Sequence, residues 1–431
     1  MSTWRNWSGL TAVSPSEVRS PRDTDDVVAA VHRARERRTT VKMPGTGHSF
    51  TGIAAPEGIM LSPTQLSGIV AVDRDAMTVT VLAGTPLQVL NASLEALGLS
   101  LHNMGDIAQQ TVAGATSTGT HGTGGLVASL SAQLAGLEMV TGTGEVLRAS
   151  ETENPDVFAV ARIGLGALGI ITTLTFRVEP LFTLEAHEFP MLWDEALDRF
   201  DELATDNHHF EMYWFPHTER VLAKENNRTL DDPEPLGRLR HWLDDDFLSN
   251  TVFGLVNRVG NARPGWIPRI NDIAGRALSE RTYSDVPHKV FTSPREVVFR
   301  EMEYAVPREV GLDALRAARR WIDDSGLNIS FPIEVRVTPA DDIALSTASG
   351  RESMYLAFHV NAQTDHAAYF TGAEDVLRSY DGRPHWGKLN TRTAADLEPA
   401  YPRWAEFQKT RDRLDPDRVF GNDYLRRVLG D

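Results

Sequence analysis

A single histidine, His48, stands inside a run of glycine and small polar residues, PGTGHSFTGIA, at positions 44–54. A second run of the same texture, VAGATSTGTHGTGG, covers 112–125. Loops of this kind present successive backbone N–H groups and hydroxyls, which is what an anionic pyrophosphate needs. One such loop is ordinary turn chemistry. Two in one α/β region point to a nucleotide-type cofactor. Taken alone, His48 suits a solvated loop residue, a catalytic base or a metal ligand. The metal reading lacks a second ligand at i+3 or i+4, so no metal is expected.

Other polar residues recur at strand spacing. In FPIEVRV, Ile333, Val335 and Val337 share one face, which leaves Glu334 and Arg336 on the other. In MYLAFHVNA, Met354, Leu356, Phe358 and Val360 form the apolar face, and His359 and Asn361 share the opposite one. Such a polar face meets water or roofs a polar pocket, and periodicity does not choose between them. RPHWGKLN (383–390) sets His385, Trp386 and Lys388 in a short irregular segment. It reads as a surface loop with a part-buried Trp, or as a lysine delivered beside an aromatic wall.

A third glycine motif, GLGALG (164–169), fits G-x-G-x-x-G. A dinucleotide fingerprint must follow a strand and open a helix, so that the pyrophosphate meets the helix N-terminus. Here a helical pattern leads in and a strand pattern leads out. The motif reads as a tight helix-to-strand turn and not as a nicotinamide site.

The elements that must hold these residues fall into two textures. Up to about residue 178, helical and strand patterns alternate. Val27, Ala30, Val31 and Ala34 stripe a helix over 23–38, TTVKM (39–43) reads as a short strand, and 134–149 as a hairpin. Beyond Pro180 come a helix over 193–204, strands at 209–216 and 220–227, and a helix-rich insert at roughly 235–282. Strands return at 295–307, 329–339 and 354–362, with a helix at 312–325. That α+β pattern implies a second domain built on an antiparallel sheet.

Composition narrows the classes. The 431 residues carry a formal net charge of −16, which disfavours phosphate backbones and anionic membranes as partners. There is no cysteine, so disulfides, thiolate metal sites and cysteine nucleophiles are excluded together. No apolar run is long enough to span a bilayer and the first residues lack a secretory pattern, so a cytoplasmic location is the default expectation.

The ordered set PGTGHSF, VAGATSTGTHGTG, FPIEVR, RPHWGK and LDPDRVFGNDYLRRVLG resembles the sugar-lactone oxidases. These are aldonolactone oxidoreductases acting on L-gulono-, L-galactono- or D-arabinono-1,4-lactone. They are related to alditol oxidases and belong to the vanillyl-alcohol-oxidase type of flavoprotein. The likeness runs from about residue 4 to the end. It implies an FAD-binding domain of two α/β subdomains over 1–178 and a cap domain with a large antiparallel sheet over 179–400. Residues 401–431 would return to the FAD domain.

The resemblance also implies roles. His48 matches the histidine joined to the 8α carbon of FAD, with Gly45, Thr46, Gly47, Ser49 and Phe50 beside it. Thr111, Gly114, Ala115, Thr116, Ser117 and Thr118 match a second FAD loop, and Ile170 a backbone contact at the adenine end. Glu334, Arg336 and Lys388 match the active-site acid, arginine and lysine. Asp106, His359 and Asn361 are expected to meet substrate. Asp106 stands where alditol oxidases carry a serine that touches both flavin and polyol, so it is expected at the cofactor as well, and the change of residue weighs against the polyol alternative, a peroxide-forming oxidase of xylitol or sorbitol. Gly105 matches the position beside the flavin where a small residue admits oxygen. Oxygen or a one-electron acceptor such as a cytochrome would then take the electrons. Glu334 and Lys388 both qualify as the base for the substrate hydroxyl.

Overall fold

Apolar spacing in the first sixty residues builds a small parallel sheet. In the computed structural model, which describes residues 3–126, 128–236, 263–292 and 297–431, the strands β1 (Glu17–Arg19), β2 (Val41–Lys42) and β3 (Ile59–Leu61) lie in the order β1-β3-β2. Helix α1 (Thr24–Glu36) starts at Asp23, whose carboxylate accepts the Asp26 N–H. Its stripe of Val27, Ala30, Val31 and Ala34 is fully buried against Val41, Ile59 and Leu61, as the spacing predicts.

A five-stranded antiparallel sheet follows. Its strands are β4 (Ile69–Asp73), β5 (Thr78–Leu82), β6 (Leu134–Val140), β7 (Val146–Ser150) and β8 (Ile170–Arg177), in the order β7-β6-β8-β5-β4. Helices α2 (Leu87–Ala96), α3 (Val112–Thr118) and α4 (Pro155–Ala161) pack on it. Residues 112–118 correct a sequence expectation, because they form a helix and not a loop. Ser and Thr usually compete with helical hydrogen bonds. Here Thr116 and Thr118 donate back to the carbonyls of Val112 and Gly114, and Thr111 caps the start. Between α4 and β8 the GLGALG segment is the expected turn, made by left-handed Leu165 (φ 55°) and Gly166 (φ 62°).

The second half forms one eight-stranded sheet in which every pairing is antiparallel. Its strands are β9 (Thr183–Leu192), β10 (His209–Trp214), β11 (Arg220–Thr229), β12 (Arg281–Asp285), β13 (Phe299–Pro307), β14 (Ile333–Thr338), β15 (Ser353–Asn361) and β16 (Arg383–Pro384). They lie in the order β12-β9-β11-β10-β14-β15-β13-β16. Helices α5 (Gly311–Ser325) and α6 (Ala367–Arg378) cover the oily face, burying Ala314, Leu315 and Ala318 against Val335, Leu356 and Phe358. The helix expected over 193–204 is broken at Arg199 into Trp193–Asp198 and Phe200–Asp206. Of the expected insert, 237–262 lies outside the described residues. Its remainder holds a helix at Ile267–Ala277 and then edge strand β12, so it is not helical to its end.

The chain end returns to the first domain through α7 (Trp404–Leu414) and α8 (Asp423–Leu429). Val419 and Phe420 share a core with Val27 and Val41. Asn422 caps α8 through its Oδ1. Its Nδ2 donates to the carbonyls of Gly52, Ile53 and Ala55, which anchors the segment just after His48. Among the described residues no helix is long and apolar enough to cross a membrane.

Candidate active site

A cleft of about 900 Å³, counting its open mouth, runs between the parallel sheet and the five-stranded sheet. Residues 41–49 form one wall, α3 and the residues just before it form another, and 165–171 close the end. Its two loops meet at glycines. A Cβ on Gly45 would collide with Thr111 Oγ1, and one on Gly114 would come within 2.9 Å of the same atom. Gly47 has φ +77°, a conformation that other L-residues rarely hold. Such a glycine cradle, with the hydroxyls of Thr46, Ser49, Ser117 and Thr118 beside it, fits an elongated anionic cofactor of the FAD type.

Of the residues expected in the cofactor site, Gly45, Thr46, Gly47, His48, Ser49, Thr111, Gly114, Ser117, Thr118 and Ile170 line this cleft. Ala115 and Thr116 sit on the core side of α3, fully buried. Phe50 turns away into an aromatic cluster with Trp7, Phe299 and Phe331. His48 is half-buried, with its ring 5.7 Å from Trp7 and nearly parallel to it. Burial, and then the nearby Lys388 charge, hold its pKa below the usual histidine value.

On the cap sheet the open alternative is resolved strand by strand: Glu334 and Arg336 are buried, while His359 and Asn361 are part-buried. Glu334 and Arg336 on β14 lie opposite Tyr213 and Glu211 on β10. Arg336 Nε donates to Glu211 Oε2 at 2.8 Å, and its other arm pairs with Glu334. Tyr213 OH donates to Glu334 Oε1 at 3.0 Å. Lys224 approaches Glu211 at 4.0 Å. The two acids share one guanidinium unequally. In Glu211, burial raises the pKa but Arg336 and Lys224 outweigh it, so the group ends below the usual range. In Glu334, burial wins over Arg336, helped by the charges of Glu211 and Asp106, so its pKa is raised.

A second cluster lies two strands away. Glu301 on β13 sits opposite His359 on β15, whose Nε2 is 3.5 Å from Glu301 Oε1. Lys388 forms an ion pair with Glu301, and its Nζ stands 5.2 Å from the centre of the Phe50 ring. Burial opposes charge on both partners, yet Lys388 and His359 bring Glu301 down to about 2, while Glu301 and Glu303 hold Lys388 above the usual lysine value. The field of Asp106 reaches Glu211, Glu334, Arg336 and Lys388, so Asp106 belongs with both clusters. Asn361 follows His359 on the same face, and its Oδ1 accepts the Gln363 N–H. Gly105 packs on the His121 backbone.

Behind Lys388, the ligand atoms of His121, Glu303 and His385 lie within 4.8 Å of one another, all three residues buried. Their hydrogen bonds describe a network better than a metal cradle. His121 Nδ1 lies 2.8 Å from the Gly122 carbonyl and therefore carries a hydrogen. Its Nε2 faces Glu303 Oε1 at 3.2 Å. His385 Nδ1 accepts the Gly387 N–H, which spends its lone pair.

Sequence reasoning missed Glu211, Tyr213, Glu301 and Glu303. The signal was present: they alternate with apolar residues in HFEMYWF and REMEYAV, as Glu334 and Arg336 do in their own strand.

Comparison with known proteins shows the fold and the family. Residues 15–150 match the FAD binding domain family, and residues 174–428 match the D-arabinono-1,4-lactone oxidase family. A solved cholesterol oxidase from Brevibacterium sterolicum superimposes with a TM-score of 0.82 over 99% of this chain and 96% of its own, at 17% identity. The fold is therefore the two-subdomain FAD-binding fold with a cap, of the vanillyl-alcohol-oxidase type, and the protein is an FAD-dependent oxidoreductase. L-gulono-1,4-lactone dehydrogenase of Mycobacterium tuberculosis is 40% identical over 427 residues, 99% of each chain. L-gulonolactone oxidase of Mus musculus is 31% identical over 433 residues, covering 99% of this chain and 98% of that one. The chain belongs to the D-arabinono-1,4-lactone oxidase family.

Proposed function

We propose that the protein oxidises a sugar-1,4-lactone of the gulono-, galactono- or arabinono- type, with FAD carried covalently on His48 through the 8α carbon. The observation that supports this best is the buried polar face of the cap, where Glu334 pairs with Arg336, Lys388 pairs with Glu301, and the Lys388 charge reaches His48. FAD, when bound, supplies the hydride acceptor. The chain's own groups do the rest. Glu334, with its raised pKa, takes the proton of the substrate hydroxyl. Arg336 and Lys388 are fixed cations that stabilise the developing alkoxide. Lys388 is held protonated by Glu301, so the base role falls to Glu334. Asp106, His359 and Asn361 border the space left for the sugar.

An anaerobic screen of flavin bleaching over gulono-, galactono- and arabinono-1,4-lactones, xylitol and sorbitol tests the assignment. Rapid bleaching by a lactone supports it. Bleaching by the polyols alone overturns it.

Two further outcomes belong to this reading. In His48→Ala, acid releases the flavin from the denatured chain, whereas the parent protein keeps it. Mass spectrometry of the tryptic peptide spanning 43–74 checks this, and flavin still attached to the variant removes the linkage. The second concerns Gly105, where a Cβ would lie 2.9 Å from the His121 carbonyl and 3.2 Å from Thr120 Cγ2. Gly105→Ala therefore crowds this approach. Reoxidation by oxygen slows about tenfold, roughly 1.4 kcal/mol of barrier, while anaerobic reduction changes less. Peroxide yield against cytochrome c reduction measures which acceptor is affected.

A further inference from the structure

Lys42 is a cation that the chemistry above does not use. It lies on β2, where Val41 packs into the core and Lys42 lines the cofactor cleft. Only 6% of it is exposed. Its Nζ has three hydrogens, and its hydrogen bond is to the Gly166 carbonyl, at 3.3 Å. That carbonyl belongs to the GLGALG turn, whose Leu165, Gly166 and Gly169 also line the cleft.

The acids whose charge reaches Lys42 are occupied elsewhere. Asp415 accepts the Val419 and Phe420 N–H groups at 2.8 and 3.1 Å. Glu57 accepts the Asp423 N–H and faces Arg426 at 3.5 Å. Among the described residues, neither comes within ion-pair distance of Lys42. Arg411 adds a like charge. Burial therefore dominates and brings the lysine down to about 8. An enclosed ammonium without a counter-ion is costly unless a ligand brings the anion.

We propose that Lys42 is the counter-ion for the diphosphate of FAD, held in place by the GLGALG turn. In oxidised FAD the two phosphates are the anionic groups. Lys42 bonds the turn at Gly166, four residues before Ile170, the position matched to the adenine end, so it serves the nucleotide end and not the ring end. The inference rests on FAD binding and not on the covalent link.

The test uses His48→Ala protein stripped of flavin, in which binding is reversible, with and without Lys42→Met. Should the parent protein itself release FAD to acid, the covalent reading fails and the same titrations are made on the parent. Calorimetry with ADP and with adenosine separates phosphate from base contacts. The expected result is ADP affinity at least about tenfold weaker in Lys42→Met, adenosine affinity within about twofold, and most of the ADP affinity kept in Lys42→Arg. Removing the unpaired cation should also raise the melting temperature of the flavin-free protein while reducing the increment that FAD adds. Equal ADP affinity in the two proteins overturns the proposal. An equal loss for ADP and adenosine also overturns it, since that would mark Lys42 as a prop for the turn.

Discussion

Lys388→Met reduces its flavin roughly 10²–10³-fold more slowly than the parent protein at saturating lactone, the usual cost of losing one preorganised charge donor. The flavin stays attached, because His48 is untouched. Two effects add. The first is the loss of the cation that faces the developing alkoxide. The second is the release of Glu301, which Lys388 and His359 together hold near 2. Without the ammonium, Glu301 and Glu303 are buried acids with one cation fewer, and Glu301 moves back up. The linkage has a definite sign. A depressed carboxylate contributes stability above its unfolded value of about 4.5, and that contribution is lost as the pH falls towards 2. The variant should therefore be less stable near neutrality and show a shallower fall over that window. Stopped-flow bleaching gives the rate, and urea unfolding at several pH values gives the slope. An unchanged reduction rate removes Lys388 from the chemistry.

Glu334→Gln is the second large effect. The amide is nearly isosteric and still accepts the Tyr213 hydroxyl, so the local fold is kept. What disappears is a proton acceptor, with a loss of about 10²–10⁴ in the reductive rate. The diagnostic is the acid limb of the pH profile. Glu334 works as the carboxylate, so the rate of the parent protein climbs as the pH rises through its pKa. Burial, with Glu211 and Asp106, places that limb above the ordinary carboxylate range. In the variant the limb vanishes, and Arg336, still bonded to Glu211, keeps its position. An acid limb that persists unchanged in Glu334→Gln would hand the base role to another group.

Particular elements show where sequence reading succeeds and where it stops. Helix α1 follows from an apolar stripe and an acidic cap, both local. The oily faces of β14 and β15 follow from strict alternation, which also puts Glu334 with Arg336 and His359 with Asn361. Residues 112–118 did not follow, because a Gly, Ser and Thr composition suits loop and helix alike until the hydroxyls find their carbonyls. The break at Arg199 is equally invisible to an apolar stripe that continues across it.

Residue types and their order in the chain were enough to determine the class of fold, the two glycine segments of the cofactor cleft and the polar faces of the cap strands, because backbone geometry repeats every two or 3.6 residues and glycine is required where chains nearly touch. Strand order decided the rest. It set Glu211 against Arg336 across 125 positions, Glu301 against Lys388 across 87, and left Lys42 without a carboxylate among the described residues. Whether a buried charge is a fixed cation, a poised base or a waiting counter-ion depends on which opposite charge lies within a few ångströms. In a folded chain that neighbour comes from a distant segment.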